Sequence, residues 1–247
     1  MRRGRLRGAG AAVLLAGAAL TGAAAPAGGA PLVPVPVVSC RVQFGAPGTP
    51  PAWSPSRLPV ALPAATVRRL SFYSDGFVVA LAPRGWRCQG LEAADGGQSL
   101  SVFPARQTNP LSGQHLPSTA AGVTVLLDYT GHGPGAQLVC GLFPGTKAAS
   151  LAASTGGCPP VPSGEQVQHP TPDVATFVDP PGVHGSGNPS GGVNTATGVV
   201  VFPQLTPEPG SVNVAKTTCT LPAGTSALCQ AIVGDFVARE LPSQPAG

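Results

Sequence analysis

The stretch Leu70-Ser71-Phe72-Tyr73-Ser74-Asp75-Gly76-Phe77-Val78-Val79-Ala80-Leu81 is two apolar runs divided by a turn signal. Each run is strand-sized and rich in aromatic or β-branched residues. Aspartate and glycine tolerate the backbone angles of a tight reversal, so the stretch reads as a β-hairpin. The same grammar recurs to either side. Asp95-Gly96-Gly97 is a second turn signal, followed by a strand over 99–103. Residues 123–130 and 137–143 form another hairpin pattern, joined through Gly131-His132-Gly133-Pro134-Gly135. Residues 174–178, 199–202 and 212–218 add three strands, the first two separated by a loop over 179–198 thick with Gly, Pro, Ser and Asn.

Two helical patterns interrupt the strands. Residues 147–153 fit a short helix stopped by Gly156-Gly157. Near the end, Thr225 or Ser226 is placed to cap a helix in which Ile232, Val233, Phe236, Val237 and Leu241 recur at helical spacing. Pro242 then stops it. The fold class expected is α+β: strand-rich antiparallel sheets with a C-terminal helix, stabilised by disulfides.

Upstream of the hairpin, residues 28–64 hold nine prolines, among them Pro34, Pro36 and Pro59. Proline fixes φ and lacks an N–H, so this segment reads as an extended, proline-rich N-terminal arm. Alternating Val33, Val35 and Val37 allow it an edge strand. Earlier still, Arg2, Arg3, Arg5 and Arg7 precede an uncharged apolar run over 11–20 and a small-residue stretch to Ala30. That is the pattern of a secretory signal peptide. Cleavage is expected near 25–30, with Ala25 and Ala27 ending suitable A-x-A strings. The organisation expected is therefore a signal peptide over 1–27, an arm over 28–64, and one strand-rich domain over 65–247.

The full chain has 247 residues, with 14 Lys+Arg against 10 Asp+Glu. Removing the signal peptide takes away four Arg and leaves the mature chain formally neutral. Nucleic-acid binding needs clustered cations facing phosphates, and no such cluster remains. No stretch of the mature chain has the length and apolarity of a membrane-spanning helix. The 34 Gly and 30 Pro come with few Ile, Lys and Asn, so part of that excess reflects a GC-rich coding bias rather than disorder.

Cys40, Cys88, Cys140, Cys158, Cys219 and Cys229 all lie in the mature part. An even count in an exported chain implies disulfides. The pairing expected is sequential: Cys40–Cys88, Cys140–Cys158 and Cys219–Cys229. The C-x2-4-C pairs usual in zinc sites are missing, and no Cys is left over as a nucleophile. Neither a metal nor a cofactor is expected.

No motif for catalysis stands out. There is no G-x-S-x-G elbow, no H-E-x-x-H and no phosphate-binding G-x-x-x-x-G-K-[ST]. Ser190 in Asn188-Pro189-Ser190-Gly191-Gly192 lacks the leading glycine of a nucleophile elbow. Turn formation accounts for Asp75 and Asp95. The ligand candidates are His184 and Asp179 in the long loop, His132 at a hairpin tip, and Arg84 in a Pro-Arg-Gly turn, where a structural ion pair is the plainer role. Trp86, beside Cys88, is expected to pack on the disulfide.

Three segments carry a resemblance: Ala82-Pro83-Arg84-Gly85-Trp86-Arg87-Cys88; Phe177-Val178-Asp179-Pro180-Pro181-Gly182-Val183-His184-Gly185-Ser186-Gly187; and Thr218-Cys219-Thr220-Leu221-Pro222 with the closing helix. They resemble segments of secreted actinobacterial proteins of unknown function. The resemblance implies export and one compact unit, and carries over no catalytic residue. The functional expectation is a noncatalytic extracellular or envelope-associated binding protein with an unidentified ligand. The alternative is an extracellular hydrolase assembled around His184, Asp179 and His132. Mass analysis of the exported product should find its first residue between 26 and 31; an uncleaved N-terminus would contradict the signal-peptide reading.

Overall fold

The structure is a computed structural model that describes residues 31–44, 55–94, 96–108, 119–128, 139–144, 157–158, 160–202 and 214–241. It is α+β, with two sheets, a C-terminal helix and three disulfides. The strands are β1 (Val33–Ser39), β2 (Arg41–Phe44), β3 (Arg57–Val60), β4 (Leu70–Ser74), β5 (Val79–Pro83), β6 (Arg87–Glu92), β7 (Gln98–Phe103), β8 (Gly122–Asp128), β9 (Gln166–Thr171), β10 (Val174–Asp179), β11 (Thr195–Val201) and β12 (Val214–Leu221). A one-turn helix α1 (Ala64–Val67) precedes β4, and α2 (Ser226–Glu240) closes the chain.

The opening hairpin is β4 and β5, paired from Leu70↔Pro83 to Ser74↔Val79. Its turn is built by Asp75, whose Oδ1 accepts the amides of Phe77 at 2.9 Å and Val78 at 2.8 Å. Gly76 takes a φ of 99°, the left-handed region where a side chain is strained. Gly90 on β6 lies so close to this turn that a Cβ there would overlap the Asp75 carboxylate. Tyr73 is fully buried, and its hydroxyl donates to the Pro83 carbonyl at 2.8 Å while accepting the Trp86 amide at 3.0 Å. One phenol thus fastens the Pro-Arg-Gly-Trp turn to the hairpin.

The small sheet has the order β3-β1-β4-β5, and the large one β2-β6-β7-β8-β12-β11-β10-β9. Most pairs are antiparallel, but β1 runs parallel to β4 and β2 parallel to β6. The proline-rich stretch thus supplies three strands, and β1 lies between two neighbours instead of at an edge. It does so by dividing its length. Residues 33–36, with Pro34 and Pro36, pair only with β3, and 37–39 pair only with β4. Neither proline has to supply an N–H to two partners. Cys40 marks the crossing from the small sheet into β2, and its bridge to Cys88 ties that crossing to β6.

Strand alternation divides the large sheet's two faces. On the first, Leu100, Val102, Val123, Val125, Val199, Val201, Ala215 and Cys219 meet the small sheet and α2 in the main core. Leu228, Cys229, Ile232, Val233 and Phe236 form the inward stripe of α2, and Cys219–Cys229 pins it to β12. On the loop-entropy estimate the two short bridges, Cys140–Cys158 and Cys219–Cys229, stabilise by roughly 3 kcal/mol each, and the longer Cys40–Cys88 loop by about 4 kcal/mol. On the second face, Ala175, Phe177, Val200, Phe202 and Val214 form a smaller core with Val139, Cys140, Leu142 and Phe143.

The segment read as a strand over 137–143 is different where it is described. Val139 is helical and residues 140–142 are turns, with the Leu142 and Phe143 amides both bonded to the Val139 carbonyl. They cover the second face instead of pairing with β8, whose neighbours are β7 and β12. Apolarity alone does not separate a strand from a buried turn. Thr225 is the N-cap of α2 but makes no side-chain capping bond; its hydroxyl donates back to the Pro222 carbonyl. The helix expected over 147–153, the Asp95 position and Pro242 lie outside the described residues.

Tyr73→Phe should cost about 1–3 kcal/mol in urea unfolding, because it leaves the Pro83 carbonyl and Trp86 amide without their partner. A loss below about 0.5 kcal/mol would show that the phenol does not fasten this turn.

Candidate functional site

The chain between β10 and β11, residues 180–194, folds back over the second face of the large sheet. Its ends close on each other through the Gly182 amide and the Gly192 carbonyl, 3.0 Å apart. Asn188 clamps the interior, accepting the Gly192 amide at 2.9 Å and donating to its carbonyl at 3.2 Å. Asn194 anchors the exit by donating to the carbonyls of Thr119 and Ala120. This is the compact surface loop of the Ω type.

Beneath it lie three charged side chains. Asp179 ends β10 and is wholly buried. Its Oδ2 accepts the Gly187 amide at 2.7 Å. Glu165, just before β9, accepts the neighbouring Ser186 amide on Oε1 at 3.0 Å. Two successive loop amides are thus held by two different carboxyl groups. The other two oxygens, Asp179 Oδ1 and Glu165 Oε2, are buried and meet no partner. The β9–β10 register, with Gln166 opposite Val178, sets Glu165 beside Asp179. One proton shared there would satisfy both oxygens.

Burial pushes Asp179 up to about 6, and the nearby Glu165 charge acts in the same direction, while the Gly187 and Asn188 amides oppose it. Lys216 reaches the cluster from β12. Its Nζ donates to the Ser186 carbonyl at 2.8 Å and stands 5.5 Å from the centre of the Phe177 ring. Burial pulls this lysine down from its usual range, and Glu165 and Asp179 act against that. The lysine therefore compensates the carboxylates and braces the loop backbone together.

Glycine makes the close approach possible. A Cβ on Gly185 would overlap the Asp179 carboxyl group. One on Gly187 would press on Phe177, Thr218 and Ala196, and one on Gly191 would meet the His184 ring.

His184 is exposed on the loop, with Nδ1 3.0 Å from the Pro189 carbonyl. That contact requires a proton on Nδ1, so in the neutral ring Nε2 carries the lone pair. His184 and Asp179 share the loop but serve different partners: the histidine holds Pro189, and the aspartate holds Gly187. Arg84 lies outside this loop, in the turn fastened by Tyr73. It is exposed and donates to the Leu70 carbonyl at 3.3 Å, a backbone contact where an ion pair had been expected. Trp86 is half-buried against the main core, as is Cys88. Ser190 is exposed on the loop. His132 lies outside the described residues.

Glu165 and Lys216 are the members of the cluster that sequence reasoning missed. Lys216 had a usable signal: it is one of only two lysines and stands in the middle of a strand. Glu165 had none, because the fold alone brings it to Asp179. Among the described residues, no group of three or more His, Cys, Asp or Glu is arranged to hold a metal ion. A cavity of about 240 Å³ lies between the small sheet, β8 and α2, lined mainly by Leu58, Phe77, Val78, Val79, Val125 and Leu127. Arg239 at its rim is already paired with Asp235 at 2.7 Å. No helix among the described residues is long and apolar enough to cross a membrane.

No protein-family model matches this chain, and neither the curated proteins nor the solved structures yield a significant match.

Two glycines should respond to alanine with opposite signs. Gly185→Ala places a methyl on the Asp179 carboxyl and should destabilise by about 1–3 kcal/mol, the range for overpacking. Gly234→Ala on α2 meets open space and should stabilise by about 0.5–1 kcal/mol. Urea unfolding of both variants checks the pair; a neutral Gly185→Ala would mean that the loop is not seated on Asp179.

Proposed function

We propose that the chain is a noncatalytic extracellular or envelope-associated binding protein, and that residues 180–194 are its contact loop. The observation that carries this is the bracing beneath the loop: Glu165, Asp179 and Lys216 hold adjacent backbone groups while His184, Pro189, Ser190 and Val193 face solvent. Ordering a loop costs about 1–2 kcal/mol per residue of backbone entropy. Here that cost is met during folding, so a ligand need not meet it again. Val193, 56% exposed, is an apolar contact point on this segment. Asp179 serves this role from beneath, as support, since it is wholly covered.

Export belongs to the same reading. It draws on the signal-peptide pattern over 1–27, the resemblance to secreted actinobacterial proteins, and three disulfides of the kind that persist in oxidising compartments. The rival hydrolase around His184, Asp179 and His132 draws on one observation, the exposed imidazole with its Nε2 lone pair.

Cosedimentation with purified Gram-positive cell-wall sacculi tests the proposal. The mature protein should pellet with the sacculi, and Val193→Asp should weaken binding at least about tenfold, a loss of roughly 1.4 kcal/mol, with the fold intact. Absence of binding, or binding indifferent to Val193→Asp and His184→Ala, would overturn it. Release of soluble wall fragments, abolished by His184→Ala, would establish the hydrolase instead.

A further inference from the structure

We infer that Glu165, Asp179 and Lys216 form a one-proton latch that holds the 180–194 loop closed in mild acid and loosens it toward neutral pH. The inference rests on the contact-loop reading only for its biological use; the latch itself is a property of the fold.

Its basis is the division of carboxyl oxygens. Each carboxyl group spends one oxygen on a loop amide, Ser186 for Glu165 and Gly187 for Asp179. The remaining oxygens, Asp179 Oδ1 and Glu165 Oε2, are each buried without a donor, and the β9–β10 register sets the two residues side by side. With one proton between them, the cluster holds one carboxylate, one carboxylic acid and the Lys216 ammonium, and is neutral. Without that proton it holds two carboxylates against one ammonium. The excess charge sits where Asp179 is cut off from water, and both unpartnered oxygens are left without a proton. Lifting the loop readmits water to both, which relieves the repulsion.

Among the described residues, the other charged or titratable groups nearby do not change this sign. Lys216 on β12 points its ammonium at the Ser186 carbonyl and attracts both carboxylates. His184, on the loop itself, faces solvent and Pro189. β11 presents Ala196 and Gly198 to this region, neither of which titrates. The closed loop holds Asp179 above its ordinary range, at about 6. An opened loop returns it to the solvated range near 4. Closure is therefore fully supported below the solvated value, declines as pH rises between the two values, and levels off above the higher one.

Hydrogen exchange of the Ser186 and Gly187 amides at pH 4.5 and pH 7 reads the latch directly. After correction for intrinsic exchange, the opening constant should rise roughly tenfold or more between these values. Amides of the β11–β12 ladder serve as the reference. Asp179→Asn keeps an acceptor for Gly187 and supplies a permanent donor toward Glu165, so its opening constant should be low and independent of pH. Glu165→Gln should behave alike, which guards against a folding defect in either variant. An opening constant equal within about twofold at both pH values in the wild type would overturn the latch, as would a pH response unchanged in both variants. Sacculus binding is scored separately: a latch that titrates beside a chain that binds no wall leaves the latch standing and removes only the binding reading.

Discussion

A carboxyl group taken wholly out of water must find donors or a proton, and Asp179 imposes that demand at the end of β10. The loop that follows is shaped by meeting it. Gly187 brings its amide to Oδ2, and Gly185 lets the backbone pass where any side chain would strike the carboxyl group. Glu165 takes the adjacent amide, and Lys216 takes the carbonyl between them. The Pro-Pro-Gly opening, the Asn188 clamp and the Asn194 anchor all serve a segment that returns upon its own strand. Lysine compensation keeps the arrangement tolerable, since an unpaired buried charge costs several kcal/mol or neutralises itself by shifting its titration.

The platform beneath is a sheet whose two faces differ in kind. One meets the small sheet and α2 in a continuous apolar core. The other is apolar beneath residues 139–143, but in one register row carries Gln89, Ser101, Thr124 and Thr218. The loop settles at the join, where Phe177 supplies an apolar floor and Lys216 a charge. Disulfides hold the weak points of this plan: the crossing between sheets at Cys40, the turn at Cys140, and the packing of α2 at Cys229.

Much of the plan was legible in the sequence. The hairpin at Leu70–Ser74 and Val79–Pro83 announced itself through period and turn chemistry, and the closing helix through its apolar stripe. The sequential cysteine pairing is the one observed. Proline misled where it suggested an edge: β1 has neighbours on both sides because each neighbour pairs with a different half. Apolarity misled at Val139–Phe143, which covers a sheet instead of joining one. Asp179 and His184 were picked out for lying in one loop, but nearness in the chain does not set direction; the aspartate turns inward and the histidine outward. Glu165 meets Asp179 only through the pairing of β9 with β10, which no local pattern encodes.

The central claim is that Asp179 and Glu165 share a proton beneath the loop. Carbon-13 NMR of the aspartate and glutamate carboxyl groups, followed across pH, tests it most directly. The account predicts that the Asp179 resonance titrates with an apparent midpoint near 6, and that Glu165→Gln displaces it. A midpoint in the ordinary aspartate range near 4, unmoved by Glu165→Gln, would contradict it.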